Sequence, residues 1–88
     1  MLYAIDFVPS AARAFAKLAA KERKRIAVKI DALGAQPRPP GAEKLTGIDA
    51  WRVRVGDYRI VYEVRDRVLV VLVLAVGHRR EIYRRLKE

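Results

Sequence analysis

The sequence predicts an α+β fold: an N-terminal strand, a two-helix hairpin, a three-stranded antiparallel meander that completes a twisted, mostly antiparallel sheet, and a short C-terminal helix. Two observations predict it. Residues 10–33 repeat apolar side chains at the helical period, whereas residues 51–76 alternate or run continuously apolar, as strands do. The chain has 88 residues, 52% of them hydrophobic, which is enough for one compact core and too few for two. We therefore expect a single domain over residues 1–88.

The N-terminal part should form the strand and the helical hairpin. Residues 2–8 (LYAIDFV) are expected to form a short strand that is apolar on both faces. A helix should follow over residues 10–20, with Ser10 as its N-cap, because serine favours that position. A second helix should cover residues 21–33, with Gly34 just beyond its end, where glycine is favoured. The polar side of this second helix is basic and carries Lys21, Arg23, Lys24, Arg25 and Lys29.

Residues 36–50 are predicted to be a loop, because they hold three of the four prolines and two of the five glycines. Two alternating strands should follow, joined at Gly56-Asp57, and a pair with glycine first suits a type II′ turn. The resulting register places Val55 opposite Tyr58, Arg54 opposite Arg59, Val53 opposite Ile60 and Trp51 opposite Tyr62. The three aromatic residues of this hairpin should therefore lie on the core face.

The C-terminal part should supply the last strand and a helix. After a turn near residues 65–67, the run VLVVLVLAV (68–76) does not alternate, which is typical of a central strand covered on both faces. Gly77 should end this strand. Residues 78–88 return to a helical period and predict the short C-terminal helix.

The charge of the chain indicates a polyanionic partner. Nineteen lysines and arginines against ten acidic residues leave a net charge of +9, so nucleic acid is the first candidate and an acidic protein the second. Arg52, Arg54 and Arg59 fall on one face of the predicted hairpin. Two like charges directly opposite each other, here Arg54 and Arg59, destabilise a sheet by up to about 1 kcal/mol. Because the guanidinium fork matches phosphate oxygens, the arrangement favours a phosphate site over a merely solvated surface.

Several classes of protein are disfavoured. The chain has no cysteine, so disulfide scaffolds and thiolate metal sites are excluded. The N-terminus lacks the basic start and apolar run of a signal peptide, and the run at 68–76 is too short to span a bilayer. We therefore expect a soluble cytoplasmic protein that uses no cofactor.

The segments KLTGIDAWRVRVGDYRIVYEV (44–64) and VLVVLVLAVGHRREIYRR (68–85) resemble the RelE branch of the RelE/ParE superfamily, the toxins of type II toxin-antitoxin pairs. The likeness covers nearly the whole chain, and its specific part lies in residues 44–85. It implies a ribosome-dependent messenger-RNA endonuclease that cuts in the A site and inhibits translation. It also implies neutralisation by a cognate acidic, RelB-like antitoxin, with operator DNA contacted only through the toxin-antitoxin complex. No metal and no membrane are implied, and the single histidine and scattered carboxylates agree with the lack of a metal site.

The reaction implied by the resemblance is attack of a ribose 2′-OH on its neighbouring phosphate, which leaves a 2′,3′-cyclic phosphate and a free 5′-OH. The reaction needs a base for the 2′-OH, an acid for the departing 5′-oxygen, and positively charged groups that stabilise the transition state. By resemblance, Arg59 and Arg79 contact the scissile phosphate, and Tyr83 stacks on a base or transfers a proton. Arg52 and Arg54 stand where the family often has lysines, and they should act as clamps because arginine stays protonated.

His78 is an alternative proton-transfer group, because an imidazole changes its charge near neutral pH, and it is equally a turn residue at a strand end. The basic side of the second helix could meet ribosomal RNA or simply be solvated. The candidate catalytic residues are thus Arg54, Arg59, Arg79 and Tyr83, and the candidate phosphate-binding residues are Arg52, Arg54, His78, Arg80, Arg23, Lys24 and Arg25.

Two other functions are compatible with the sequence. A ParE-like toxin resembles this fold but acts on DNA gyrase and is not a nuclease, and the arginine set together with Tyr83 argues against it. A non-catalytic RNA-binding or regulatory module would use the basic face only to hold phosphates.

Overall fold

The computed structural model describes residues 2–82 and confirms the predicted α+β class. Over these residues the five strands form one sheet in the order β1-β5-β4-β3-β2, in which β1 runs parallel to β5 and the other neighbours pair antiparallel. The elements in chain order are β1 (Ala4–Phe7), α1 (Pro9–Ala16), α2 (Ala20–Ala35), β2 (Glu43–Lys44), β3 (Trp51–Val55), β4 (Tyr58–Arg65) and β5 (Val70–His78).

Helix α1 begins earlier than the sequence predicts. Its N-cap is Val8, and Pro9 follows in the first turn. Proline suits this position, because the N–H that it lacks would have no partner there and its fixed φ matches the helix. Ser10 therefore lies inside the helix, and its prediction as N-cap is wrong. Phe15 packs against Phe7 of β1, with ring centroids 5.7 Å apart, which holds the helix on the sheet.

Helix α2 extends through Gly34, so the prediction that this glycine follows the helix end is also wrong. The glycine is needed for a close approach. A Cβ added there would lie 3.0 Å from the backbone oxygen of Tyr3, and the Tyr3 N–H donates to Gly34 O at 2.8 Å. Ile26, Ile30 and Leu33 are buried against the sheet.

The hairpin register is confirmed in full. Arg54 lies opposite Arg59 and Val53 opposite Ile60, with the flanking pairs as predicted. Gly56 has φ +58°, and among the described non-glycine residues only Leu69 has a positive φ. A positive φ at the first turn residue alone is the pattern of a type II′ turn, which explains why glycine precedes Asp57.

Strand β5 is central, as predicted, because it lies between β1 and β4. It runs from Val70 to His78, so Gly77 does not end it but lies within it, opposite Arg59. Residues 79–81 form a turn, with the Glu81 N–H donating to His78 O at 2.9 Å. The rest of the predicted C-terminal helix falls on residues 83–88, outside the described residues.

The core lies between the helices and one face of the sheet. Val53, Ile60 and Tyr62 are buried there, and Trp51 and Tyr58 pack against them, which confirms the predicted core face. A smaller apolar cluster covers part of the other face and comprises Ala50, Val61, Ala75 and Ile82. Neither of the two helices in the described residues is long and apolar enough to cross a membrane.

The loop at residues 36–50 is confirmed apart from the two-residue strand β2, and side-chain contacts attach it to the sheet. Asp66, in the turn after β4, accepts hydrogen bonds from Arg38 Nη2 at 2.8 Å and from the Tyr3 hydroxyl at 2.5 Å. These bonds from Arg38 and Tyr3 lower the pKa of Asp66 to about 2. The Tyr62 hydroxyl donates to Pro37 O at 2.7 Å. The start of the loop is thus fixed to β4 and to the turn after β4.

Candidate functional site

Three of the predicted site arginines lie together on the sheet face opposite the core. Alternation along β3 and β4 places Arg52, Arg54 and Arg59 on this face, since Val53 and Ile60 between them are buried on the other. Arg54 is exposed, whereas Arg52 and Arg59 are partly buried. We call the side of the sheet that carries these three residues the arginine face.

Each guanidinium of the opposed pair has its own partner. Arg59 Nη1 donates to Gly56 O at 3.1 Å and to Tyr58 O at 3.0 Å, both at the hairpin turn. Arg54 Nη2 lies 3.6 Å from Glu43 Oε1 on β2. The repulsion expected from the register is therefore reduced by acceptors of the protein itself.

The Gly56-Asp57 turn brings further arginines to the same end of the sheet. The Arg79 N–H donates to Asp57 O at 2.8 Å, and Arg79 Nε lies 4.0 Å from Asp57 Oδ1. Arg25 of α2 reaches the turn from the other side, because a Cβ added at Gly56 would meet Arg25 Nη2 at 2.9 Å. Arg25, Arg59 and Arg79 thus surround one turn.

The sequence pattern did not place Arg25 at this turn. Helical periodicity gave only its side of α2, and the packing of α2 on the hairpin determines which turn it reaches. Arg25 also pairs with Glu22 at 3.1 Å, one helical turn earlier. Three separate segments thus bring guanidinium groups, which are donors suited to phosphate, to one exposed turn.

Glu43 is a site residue that sequence reasoning missed. It lies directly opposite Arg52, and its Oε1 is 2.7 Å from Arg52 Nη2. The hydrogen bond and charge of Arg52, together with the charges of Arg54 and Arg59, lower the pKa of Glu43, so this carboxylate is ionised at neutral pH. A strand of two residues has no periodicity to detect, and no sequence signal could have found it.

The other candidates lie apart from this group. His78 is paired with Tyr58, with ring centroids 5.8 Å apart, and its Nδ1 accepts from the Arg80 N–H at 3.3 Å. Since Tyr58 packs against the core, His78 lies on the opposite side of the sheet from Arg59. Arg23 Nη1 donates to Leu18 O at 3.0 Å in the connection between the helices.

Two further candidate site residues, Lys24 and Arg80, are exposed. Lys24 lies on the outer side of α2, and Arg80 lies in the turn after β5. Tyr83 lies outside the described residues. The catalytic and phosphate-binding roles assigned to all these residues stay predictions.

Comparisons with known proteins give the family. The family described as "ParE toxin of type II toxin-antitoxin system, parDE" matches residues 5–83. The mRNA interferase toxin RelE of Escherichia coli (strain K12) is 34% identical over 88 residues, which cover 94% of this chain and 92% of that protein.

Solved structures agree with this match. The isolated E. coli RelE toxin superposes with a TM-score of 0.78 at 32% identity, covering 86% of this chain and 83% of that one. A chain of the intact E. coli RelBE toxin-antitoxin complex also gives 0.78, at 30% identity and with 86% and 95% covered. The predicted resemblance is confirmed: the chain belongs to the RelE/ParE superfamily and is a RelE-like toxin of a type II toxin-antitoxin system.

Proposed function

We propose that this toxin is an endoribonuclease that cuts messenger RNA in the ribosomal A site and so inhibits translation. The observation that carries the proposal is the convergence of Arg59 and Arg79 on the Gly56-Asp57 turn, next to Arg54 on the neighbouring strand. RNA is the substrate class that the E. coli relative indicates, since that protein is named an mRNA interferase.

The proposed reaction forms a bond between the ribose 2′-oxygen and phosphorus and breaks the bond from phosphorus to the 5′-oxygen. Negative charge grows on the phosphate oxygens in the transition state, and guanidinium donors aimed at these oxygens stabilise it. Arg59 is suited to this role because two backbone carbonyls orient its guanidinium. The arginines supply the positive charge that metal ions provide in other nucleases, so the proposed mechanism uses no metal.

Proton transfer needs groups other than these arginines. Arginine stays protonated in proteins and accepts no proton, so Arg54 and Arg59 bind the phosphate rather than act as bases. We assign Tyr83 to the neighbourhood of the 2′-OH, as a proton-transfer group or as a stacking platform for a base. His78 is the second candidate for proton transfer, although it lies beside Tyr58 on the other side of the sheet.

The proposed regulator is a cognate acidic antitoxin. E. coli RelE has been solved in complex with its RelB antitoxin, and the net charge of +9 on this chain suits an acidic partner. We infer that the antitoxin inhibits by covering the arginine face or by displacing the C-terminal segment. A structure of the complex with Arg54 and Arg59 exposed and the C-terminal segment in place would contradict this.

The experiment is mapping of new 5′ ends in cellular transcripts after brief induction of the toxin. We expect cuts within translated regions, which the Arg59→Ala variant should not produce. Arg65→Ala is the matched control, because Arg65 lies on the same strand but pairs with Glu63, Nε to Oε1, at 3.1 Å. This control should cut like the native chain.

Two outcomes would replace the proposal. Growth arrest without new 5′ ends would indicate a gyrase-type target, as in a ParE-like toxin. Neither arrest nor cleavage would indicate a module that binds RNA without cutting it.

A further inference from the structure

Glu43 brings a carboxylate into the group of site arginines. Its Oε1 lies 2.7 Å from Arg52 Nη2 and 3.6 Å from Arg54 Nη2, so one oxygen is shared between two guanidinium groups. Strand β2 fixes this arrangement by pairing Glu43 directly with Arg52. Because directly paired residues lie on the same side of a sheet, Glu43 belongs to the arginine face.

The contacts of Glu43 are those that a phosphate oxygen would make. Carboxylate and phosphate oxygens are both acceptors for the guanidinium fork, at similar distances. The Glu43 side chain is 50% exposed and that of Arg54 is 60% exposed, whereas that of Arg52 is 18% exposed, so solvent and ligands reach this group from the side of Glu43 and Arg54. Exposed ion pairs contribute little to stability, and Glu43 can therefore give up its place to another anion.

We propose that Glu43 occupies a phosphate position of the RNA site in the free toxin and is displaced by a phosphate when RNA binds. Glu43 is then a positioning residue. It holds Arg52 and Arg54 together before binding, and it weakens the affinity of the arginine face for RNA by competing with the phosphate. The inference rests on the proposed function only in taking RNA as the ligand, and it concerns binding rather than cleavage.

The salt dependence of binding reports how many phosphates the arginine face neutralises. Each phosphate neutralised on a single strand releases counterions, which gives a slope of about −0.7 in a plot of log affinity against log salt concentration. Because the phosphate displaces Glu43 from Arg52 and Arg54, the native chain and a variant without this charge neutralise the same number of phosphates. Removing the charge of Glu43 should therefore tighten binding at low salt and leave the slope unchanged.

The test is fluorescence anisotropy with a short, labelled single-stranded RNA whose riboses are 2′-O-methylated and so cannot be cut. We expect Glu43→Gln to bind this probe about 5–10-fold more tightly at low salt, with the slope of the native chain. A slope steeper by about 0.7 would mean that Glu43 keeps a phosphate out of the native site, and would overturn the proposal. Glu63→Gln is the matched control: it makes the same charge change on the same face of the sheet, but Glu63 lies on β4 and pairs with Arg65. The control should change the affinity less than about 2-fold.

A second measurement uses the native chain and so does not depend on the variant folding. The carboxyl-carbon NMR signal of Glu43 should shift when the probe is added, because the carboxylate leaves Arg52 and Arg54. An unmoved signal at saturating probe would overturn the proposal. So would a folded Glu43→Gln variant that binds the probe no more tightly than the native chain.

The cleavage assay separates this inference from the proposed function. Loss of cleavage in Glu43→Gln with unchanged probe binding would make Glu43 a catalytic proton acceptor and would also overturn the proposal. Cleavage that persists in Arg59→Ala would count against the proposed nuclease site, whereas the probe affinities would still decide the role of Glu43.

Discussion

Arg54 and Arg59 lie directly opposite each other on β3 and β4, yet their guanidinium groups have different partners. Arg54 Nη2 lies 3.6 Å from Glu43 Oε1, and Arg59 Nη1 donates to Gly56 O at 3.1 Å. The sheet thus carries two cations at one register position, one in an ion pair and the other hydrogen-bonded to the hairpin turn. Both cations can therefore be kept there at little cost in stability.

This relationship predicts a small coupling between the two arginines. In a double-mutant cycle of Arg54→Ala and Arg59→Ala, we expect the repulsive coupling in the free energy of unfolding to stay below about 0.5 kcal/mol. Urea unfolding of the native chain, the two single variants and the double variant measures it. A repulsion near 1 kcal/mol would mean that the separate acceptors do not shield the charges from each other.

The positive φ of Gly56 should make a side chain costly at this position. Gly56→Ala places a Cβ at a φ of +58°, and we expect it to lower the free energy of unfolding by about 1–2 kcal/mol. The contact of 2.9 Å with Arg25 Nη2 should add little, because the guanidinium is the flexible end of its side chain and can move aside. Gly47→Ala is the control, because Gly47 also has a positive φ, +87°, but has nothing within 4 Å of an added Cβ. Urea unfolding should show similar losses for the two variants. A loss in Gly56→Ala that is larger by more than about 1 kcal/mol would mean that the Arg25 side chain cannot move aside.

Local patterns predicted those parts of the fold that local physics decides. The period-2 alternation and the Gly-Asp pair were enough to place Arg54 opposite Arg59 and Tyr62 on the core face. A register slip by one residue would have moved every one of these side chains to the wrong side, so the two signals together left little choice. The central position of β5 followed in the same way from its continuous apolar run.

The features that were missed depend on contacts between distant segments. Gly34 was expected to end α2, but it is retained inside the helix so that the backbone of Tyr3 can approach it. Glu43 belongs to a strand that exists only because β3 is beside it. Arg25 was assigned to a helix surface, and no periodicity within α2 could show that this surface meets the Gly56 turn. The positions of the hairpin arginines could thus be predicted, whereas their anionic and helical neighbours could not.

Tyr62 should stabilise the fold through its hydroxyl as well as its ring. The hydroxyl donates to Pro37 O at 2.7 Å and so connects the core to the start of the loop. We expect Tyr62→Phe, which keeps the buried ring, to lower the free energy of unfolding by about 1 kcal/mol in urea. An unchanged stability would mean that the loop is held by its other contacts alone.

Tyr62 should also make the stability of the fold depend on alkaline pH. Burial raises the pKa of Tyr62 to about 12 from an ordinary value of 10.0. A raised pKa means that the folded chain keeps the proton longer, so the contribution of Tyr62 is complete below pH 10 and is lost as the pH rises towards 12. In alkaline melting curves, Tyr62→Phe should lose less stability over this range than the native chain. Equal losses would assign the alkaline effect to other groups.

Tyr83 is predicted to act either by proton transfer through its hydroxyl or by base stacking through its ring. If it transfers a proton near the 2′-OH, Tyr83→Phe should lower cleavage of ribosome-bound messenger RNA by about 10²–10⁴-fold while leaving the affinity for the antitoxin unchanged. The rate is measured on purified ribosomes programmed with a defined message. Unchanged cleavage in the Phe variant, with loss of cleavage in Tyr83→Leu, would leave base stacking as the only role of this residue.

Asp66 should make the stability of the toxin depend on acid pH. Hydrogen bonds from Arg38 and Tyr3 lower the pKa of Asp66 to about 2, below its ordinary value of 3.8. Because the pKa is depressed in the folded state, the contribution of Asp66 is present above the ordinary value and is lost as the pH falls towards 2. Melting temperatures measured between about pH 5 and pH 2 should therefore fall less steeply in Asp66→Asn than in the native chain. Asp31→Asn, a change at an exposed aspartate of α2, is the control and should keep the native slope. If the melting temperature of Asp66→Asn fell as steeply as that of the native chain, the contacts of Asp66 with Arg38 and Tyr3 would not form in solution.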